Sequence, residues 1–146
     1  MATIKSEFLR CKRIAVYGVS RSDAKFGNAV FRELKSRGYK VFPIHPDMEK
    51  IDEDPCYKSI SEIEPAVDGV LINVKPTKVV EILKDVIKSG VKNVWLQQGS
   101  ESEDALKFAQ DNNLNVSSNG CILMYMEPVK GLHSAHRWIW RLIKQY

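Results

Sequence analysis

Residues 14–19 (Ile-Ala-Val-Tyr-Gly-Val) form an uncharged run that breaks at Gly18 and leads through a polar turn into a helix-like segment from Phe26. An apolar run this short, bounded by turn residues, fits a strand buried on both faces, as in a parallel sheet. The same unit recurs along the chain. Residues 39–44, 67–74, 93–97 and 114–117 read as four further strands, and Pro43 means that the first of these either lies near a sheet edge or ends at that point. Helical patterns separate them. Ser22 or Asp23 can cap a helix to Arg37 with Phe26, Val30, Phe31 and Leu34 on its inward stripe and Gly38 at its end. Pro76 opens a helix to Ser89 that buries Val79, Val80, Leu83, Val86 and Ile87 and stops at Gly90. Ser100 and Glu103 have capping-box spacing for a helix to about Asn112. Ile4, Phe8 and Leu9 suit a short lead-in helix, residues 59–63 suit one helical turn, and the rest of 45–64 reads as irregular.

Strands alternating with helices of this length predict parallel pairing through right-handed crossovers. The expected fold class is α/β: an open five-stranded parallel sheet of order 2-1-3-4-5 with helices on both faces. Its topological switch falls beside the first strand. No repeat or linker interrupts the 146 residues, so one domain is expected over 1–146, closed by an amphipathic helix at about 129–146.

In an open parallel sheet, ligands sit outside the carboxyl ends of the strands. Here those ends carry Gly18 and Ser20, then Pro43 and His45, then Val74, Lys75 and Pro76, then Gln97, and finally Cys121. Glycine lets backbone approach a ligand closely, and the start of the following helix favours anions, phosphate above all. Arg21 and Lys25 add two cations to the first loop. Ser20 either donates to a phosphate or caps the next helix, and Phe26 reads first as core. The loop departs from the dinucleotide pattern G-x-G-x-x-G, since Gly18 is followed by Ser20 and the next glycine is Gly27. The second strand also ends without the acid that would hold a ribose diol, which counts against NAD more than NADP.

The net charge of +4 and the pI near 8.9 are mild, and no basic stripe or nucleic-acid module is present, so nucleic acid is not an expected partner. Three cysteines without metal or redox spacing point to a reducing compartment. No run approaches membrane-spanning length, and residues 1–12 lack the apolar core of a leader, so a cytoplasmic protein with no membrane partner is expected. No nucleophile with a base at readable spacing, no paired carboxylates and no metal cluster stand out; His133 and His136 lack a third ligand. No catalytic residue and no metal site is expected.

Taken together, residues 14–21 with Lys25, Phe26 and Gly27, residues 38–46, residues 74–76, residues 94–102 and residues 119–124 resemble a known family. It comprises small stand-alone CoA-binding proteins with a Rossmann-like fold, related to the CoA-binding domain of the succinyl-CoA synthetase alpha subunit. The resemblance covers about residues 10–127. It implies coenzyme A or an acyl-CoA as the ligand, with its phosphates on the loop from Gly18 through Val19, Ser20, Arg21, Lys25, Phe26 and Gly27 to Asn28. It places Pro43 and His45 near the adenosine and Val74, Lys75 and Pro76 on the opposite wall, with Gln97 also at the site. This chain has His45 where many relatives have Asn, and Gln97-Gln98-Gly99 where many have Gln-Pro-Gly.

The expected function is binding of CoA or acyl-CoA without chemistry of its own. The alternatives are an NADP-dependent reductase or a CoA-ester enzyme working with a partner chain, and an interaction protein with a vestigial nucleotide site. Cys121 reads either as a small buried hydrophobe or as a thiol that meets the CoA sulfur in a mixed disulfide. Trp138 and Trp140, among Arg137, Arg141 and Lys144, suit docking on the domain or in a homodimer better than a membrane surface.

Overall fold

The computed structural model describes residues 3–22, 25–118 and 120–124. The terminal helix expected at 129–146, with His133, His136 and both tryptophans, lies outside them, as do Asp23 and Asn119.

Strands β1 (Arg13–Tyr17), β2 (Lys40–Ile44), β5 (Gly69–Ile72), β6 (Asn93–Leu96) and β7 (Asn115–Ser117) form one sheet, every pairing parallel, in the order β2-β1-β5-β6-β7. This is the expected 2-1-3-4-5 once a small hairpin between β2 and β5 is left out of the count. The sheet is Rossmann-like. Alternation along each strand sends neighbouring residues to opposite faces. On one face Ile14, Val16, Leu71 and Trp95 pack with Phe8 of α1 (Ile4–Leu9) and with Val30, Phe31 and Leu34 of α2 (Phe26–Ser36). On the other face Ala15, Val70, Ile72 and Val94 meet Val79, Leu83 and Val86 of α3 (Pro76–Ser89) and Ala105 and Ala109 of α4 (Glu103–Asp111). Val80 and Ile87 are only half-buried on the flanks of α3. β1 therefore lies between two cores, which is why its run carries no charge.

α1 is closed by a capping box in which Thr3 Oγ1 accepts from Ser6 N at 3.0 Å and Ser6 Oγ accepts from Thr3 N at 2.8 Å. Phe8 packs on Trp95 with ring centroids 5.6 Å apart. Ile4, expected on the same inward face, is instead 46% exposed in the helix's first turn.

β2 is a sheet edge, so Pro43 removes no ladder bond from a central strand. The following segment is more ordered than its composition suggests. Strands β3 (Lys50–Ile51) and β4 (Asp54–Pro55) pair antiparallel, and Arg32 of α2 holds the connecting Asp52 through Nε at 3.0 Å and Nη2 at 2.9 Å. Tyr57 N then donates to Pro43 O at 2.8 Å, and His45 N donates to Tyr57 O at 2.9 Å, so the segment returns alongside β2. The short helical turn falls at Ile60–Glu62, within the stretch expected to hold one.

Two helix starts differ from expectation. α2 begins at Phe26, with Lys25 as its N-cap and no side-chain cap, rather than on Ser22 or Asp23. Asn28 explains the delay: its Oδ1 accepts from Ser20 N at 2.8 Å and its Nδ2 donates to Ser20 O at 2.8 Å and Ser22 O at 3.3 Å. These bonds hold residues 20–22 in a loop. α4 is capped by Ser102, whose Oγ accepts from Ala105 N at 3.1 Å, not by Ser100. Ser100 is 1% exposed and faces inward, where its Oγ accepts from Val74 N at 3.0 Å.

Candidate functional site

The ends of β1 and β5 and the start of α2 meet almost backbone to backbone. A Cβ on Gly18, whose φ is +118°, would lie 2.2 Å from the carbonyl oxygen of Asn73. A Cβ on Gly27 would lie 2.0 Å from the carbonyl oxygen of Gly18. Glycine at both positions is a packing requirement, and it brings the α2 N-terminus onto the strand ends.

Two neighbouring chambers open at this point. A narrower one, about 320 Å³, is lined by Gly18, Lys25, Gly27, Lys75, Pro76 and Gly99 among others. A broader one, about 620 Å³, is lined by residues including Val19, His45, Asp47, Lys58 and Lys78. Gly18 and Val74 line both, so the chambers adjoin where β1 and β5 end. Ser100, through its bond to Val74 N, holds the backbone at that boundary.

The helices around the cleft start differently from the others. α2 and α3 both open on a lysine N-cap, Lys25 and Lys75, with no side-chain cap and no acid in the first turn. α1 and α4 are capped by their own hydroxyls, and α4 carries Glu103 and Asp104 in its first turn. His45 is held in one tautomer. Its Nδ1 accepts from Asp47 N at 3.0 Å and Met48 N at 2.9 Å, which leaves the proton on Nε2. Tyr17 also lines the broader chamber, and its buried hydroxyl has no hydrogen-bond partner. Burial first, and then the charge of Asp85, raise the pKa of that phenol.

The cleft gathers Gly18, Val19, Lys25, Phe26, Gly27, His45, Val74, Lys75 and Pro76 of the residues read from the sequence. Five others do not line it. Ser20 and Arg21 lie outside both linings, and the Ser20 amide is already bound by Asn28. Asn28 is fully buried and shapes the loop from beneath. Pro43 is buried within β2, and its neighbours Ile44 and His45 reach the cleft instead. Gln97 is 1% exposed, with Oε1 accepting from Ile122 N at 2.7 Å and Nε2 donating to Cys121 Sγ at 3.3 Å. It is an internal strut between β6 and the segment after β7.

Sequence reasoning missed Asp47, Lys58 and Lys78. Asp47 lies three residues past β2, so the cleft does hold an acid near the place where the reading found none. Lys58 enters from a segment read as irregular, and Lys78 from the first turn of α3.

Cys121 is 2% exposed in the core beneath β6, and Cys11 is 6% exposed. Burial, reinforced by the charge of Asp68, pushes the Cys11 thiol up to about 11. Both thiols are therefore expected to resist iodoacetamide at pH 8 in native protein, while the half-buried Cys56 reacts slowly and all three react in urea. Peptide mass mapping checks this. Rapid native labelling of Cys121 would show a more open site than the one described.

A cleft at the carboxyl ends of the strands is where open parallel α/β sheets hold their ligands. The chain belongs to a family described as "CoA binding domain", whose model matches residues 12–127. It is 33% identical over 92 residues to the ADP-forming acetate–CoA ligase of Methanocaldococcus jannaschii, a match covering 63% of this chain and 13% of that protein. The chain thus spans only a small part of the ligase. It is 25% identical over 121 residues to the uncharacterized protein YneT of Bacillus subtilis, covering 83% of this chain and 90% of YneT. Among solved structures, a conserved hypothetical protein from Pyrococcus furiosus superposes with a TM-score of 0.75 at 31% identity, over 79% of this chain and 99% of that one. No helix among the described residues is long and apolar enough to cross a membrane, and none of their side chains form a metal-binding cluster.

Proposed function

We propose that this protein binds coenzyme A or an acyl-CoA, with the pyrophosphate in the narrower chamber, and performs no chemistry on it alone. One observation carries the reading: the two helices that open at the cleft, and neither of the other two α-helices among the described residues, begin on an uncapped lysine. A lysine in place of a hydroxyl or carboxylate cap forgoes about 1 kcal/mol per helix. Its charge at the positive end of the helix dipole adds a further penalty of about 0.3–1 kcal/mol. A bound phosphate reverses both effects, because it accepts from the first-turn amides and neutralises the lysines. Family membership and the likeness to a CoA ligase support CoA as the carrier of that phosphate. The free cysteines support a reducing compartment such as the cytoplasm.

Calorimetry with CoA, acetyl-CoA, NAD and NADP tests the proposal. CoA and acetyl-CoA are expected to bind at least tenfold more tightly than either dinucleotide. Preference for NADP would point to the reductase instead, and no binding at all to an interaction protein.

A further inference from the structure

The far edge of the sheet, away from β2, carries a separate apolar surface. β7 is the last strand in the order, and Asn115 N donates to Lys92 O at 2.8 Å, towards β6. The next residue, Val116, therefore turns its backbone groups to the open side. A groove of about 520 Å³ lies against that edge, lined by Ile4, Leu106, Leu114 and Val116 with the amides Gln110 and Asn115 among others. No lining residue is charged. Ile4, at 46% exposure, is the one large hydrophobic side chain left exposed among the described residues. A bare sheet edge is a template for pairing with another chain, and proteins commonly cover such edges with a helix or loop.

The described residues end close by. Trp95 Nε1 donates to Gly120 O at 3.3 Å, and Lys5, the neighbour of Ile4, lies over the same indole at 5.9 Å from its centroid. Residues 121–123 then join the core that holds Phe8 of α1. Residues 125–128 can span about 13 Å from there. Beyond them Leu132, Ala135, Ile139, Leu142 and Ile143 recur at helical spacing, with Arg137, Arg141 and Lys144 on the opposite side of the same period. An apolar stripe backed by cations matches an uncharged groove at the surface. The family match ends at residue 127, so this stripe lies outside it.

We infer that residues 129–146 cover this groove as an amphipathic helix of the same chain, laying Leu132, Ile139 and Leu142 against Ile4, Leu106 and Val116. A segment tethered this near meets the groove at high effective concentration, which favours its own chain over a second copy. The segment then closes the β7 edge against pairing with other molecules. The inference does not depend on which ligand the cleft holds.

The test places the photo-crosslinker p-benzoylphenylalanine at position 4 of the full chain, where the side chain is exposed and the fold tolerates it. Illumination is expected to join position 4 to a peptide from 129–146 within one chain, read by mass spectrometry of the monomer band. In Ile139→Asp/Leu142→Asp the cross-link is expected to vanish. Hydrogen exchange across 129–146 should quicken about tenfold or more in that variant, while peptides over β1 and β5 keep their rates. A cross-link between two chains, seen at doubled mass, would put a second copy in the groove and overturn the inference. So would the absence of any cross-link to 129–146, or one that survives the double substitution.

Discussion

Gly18→Ala protein is expected to melt about 10 °C or more below the natural chain and to bind no CoA at concentrations that saturate the natural protein. Two penalties combine at this position. The backbone has φ +118°, a region that L side chains rarely enter, and strain of this type costs about 1–3 kcal/mol. The new methyl group would also lie 2.2 Å from a backbone oxygen of Asn73, which cannot rotate away. Overpacking costs typically ~1–3 kcal/mol and occasionally more. For a chain of this size each kcal/mol is about 3 °C. Two companion variants separate the terms. Gly38→Ala has φ +95° with nothing within 4 Å, so it carries strain alone and is expected to cost only a few degrees. Gly27→Ala carries a clash alone, 2.0 Å from the Gly18 carbonyl oxygen, and is expected to behave nearly as badly as Gly18→Ala. Differential scanning calorimetry of the three gives the order. If Gly38→Ala proved as damaging as Gly27→Ala, the close meeting of β1, β5 and α2 would not be what these glycines serve.

Lys25→Ala/Lys75→Ala protein is expected to lose about a hundredfold in affinity for CoA while keeping its fold. Each charge-assisted hydrogen bond to a phosphate contributes about 1.5–3 kcal/mol, and exposure moves the pair towards the lower end. The salt dependence of binding should flatten in parallel, since two of the charges that salt screens are gone. Arg21→Ala serves as the comparison, because Arg21 is exposed and lines neither chamber; an effect of less than threefold is expected. Titrations at low and high salt check both claims. A double variant that binds CoA normally would remove the phosphate from the narrower chamber.

Much of this molecule is legible locally. The uncharged run 14–19, the stripe Phe26, Val30, Phe31 and Leu34, and the start of α3 at Pro76 all follow from patterns a few residues long. Gly18, Gly27, Val74 and Lys75 could be placed at the cleft because strand ends and helix starts of a parallel sheet fall on one rim. The two misplaced caps show where local pattern fails. Ser100 and Glu103 have the right spacing, yet the hydroxyl of Ser100 is bound to Val74, twenty-six positions away. Asn28 and Gln97 look like ligand donors by position, but Asn28 is bound to its own loop and Gln97 to Ile122 and Cys121.

Chain order and hydrophobic period were enough to set the strand order, the two buried faces and the edge at which an anion would bind, because each depends on residues close together along the chain. Only the folded molecule decided which polar groups face that edge and which are consumed beneath it. Lys58 and Lys78 line one chamber from segments that share no local signal, and Gln97 turns inward because its partners arrive from beyond β7. A side chain's hydrogen-bonding capacity is a local property, whereas the partner that uses it is chosen by contacts between distant parts of the chain.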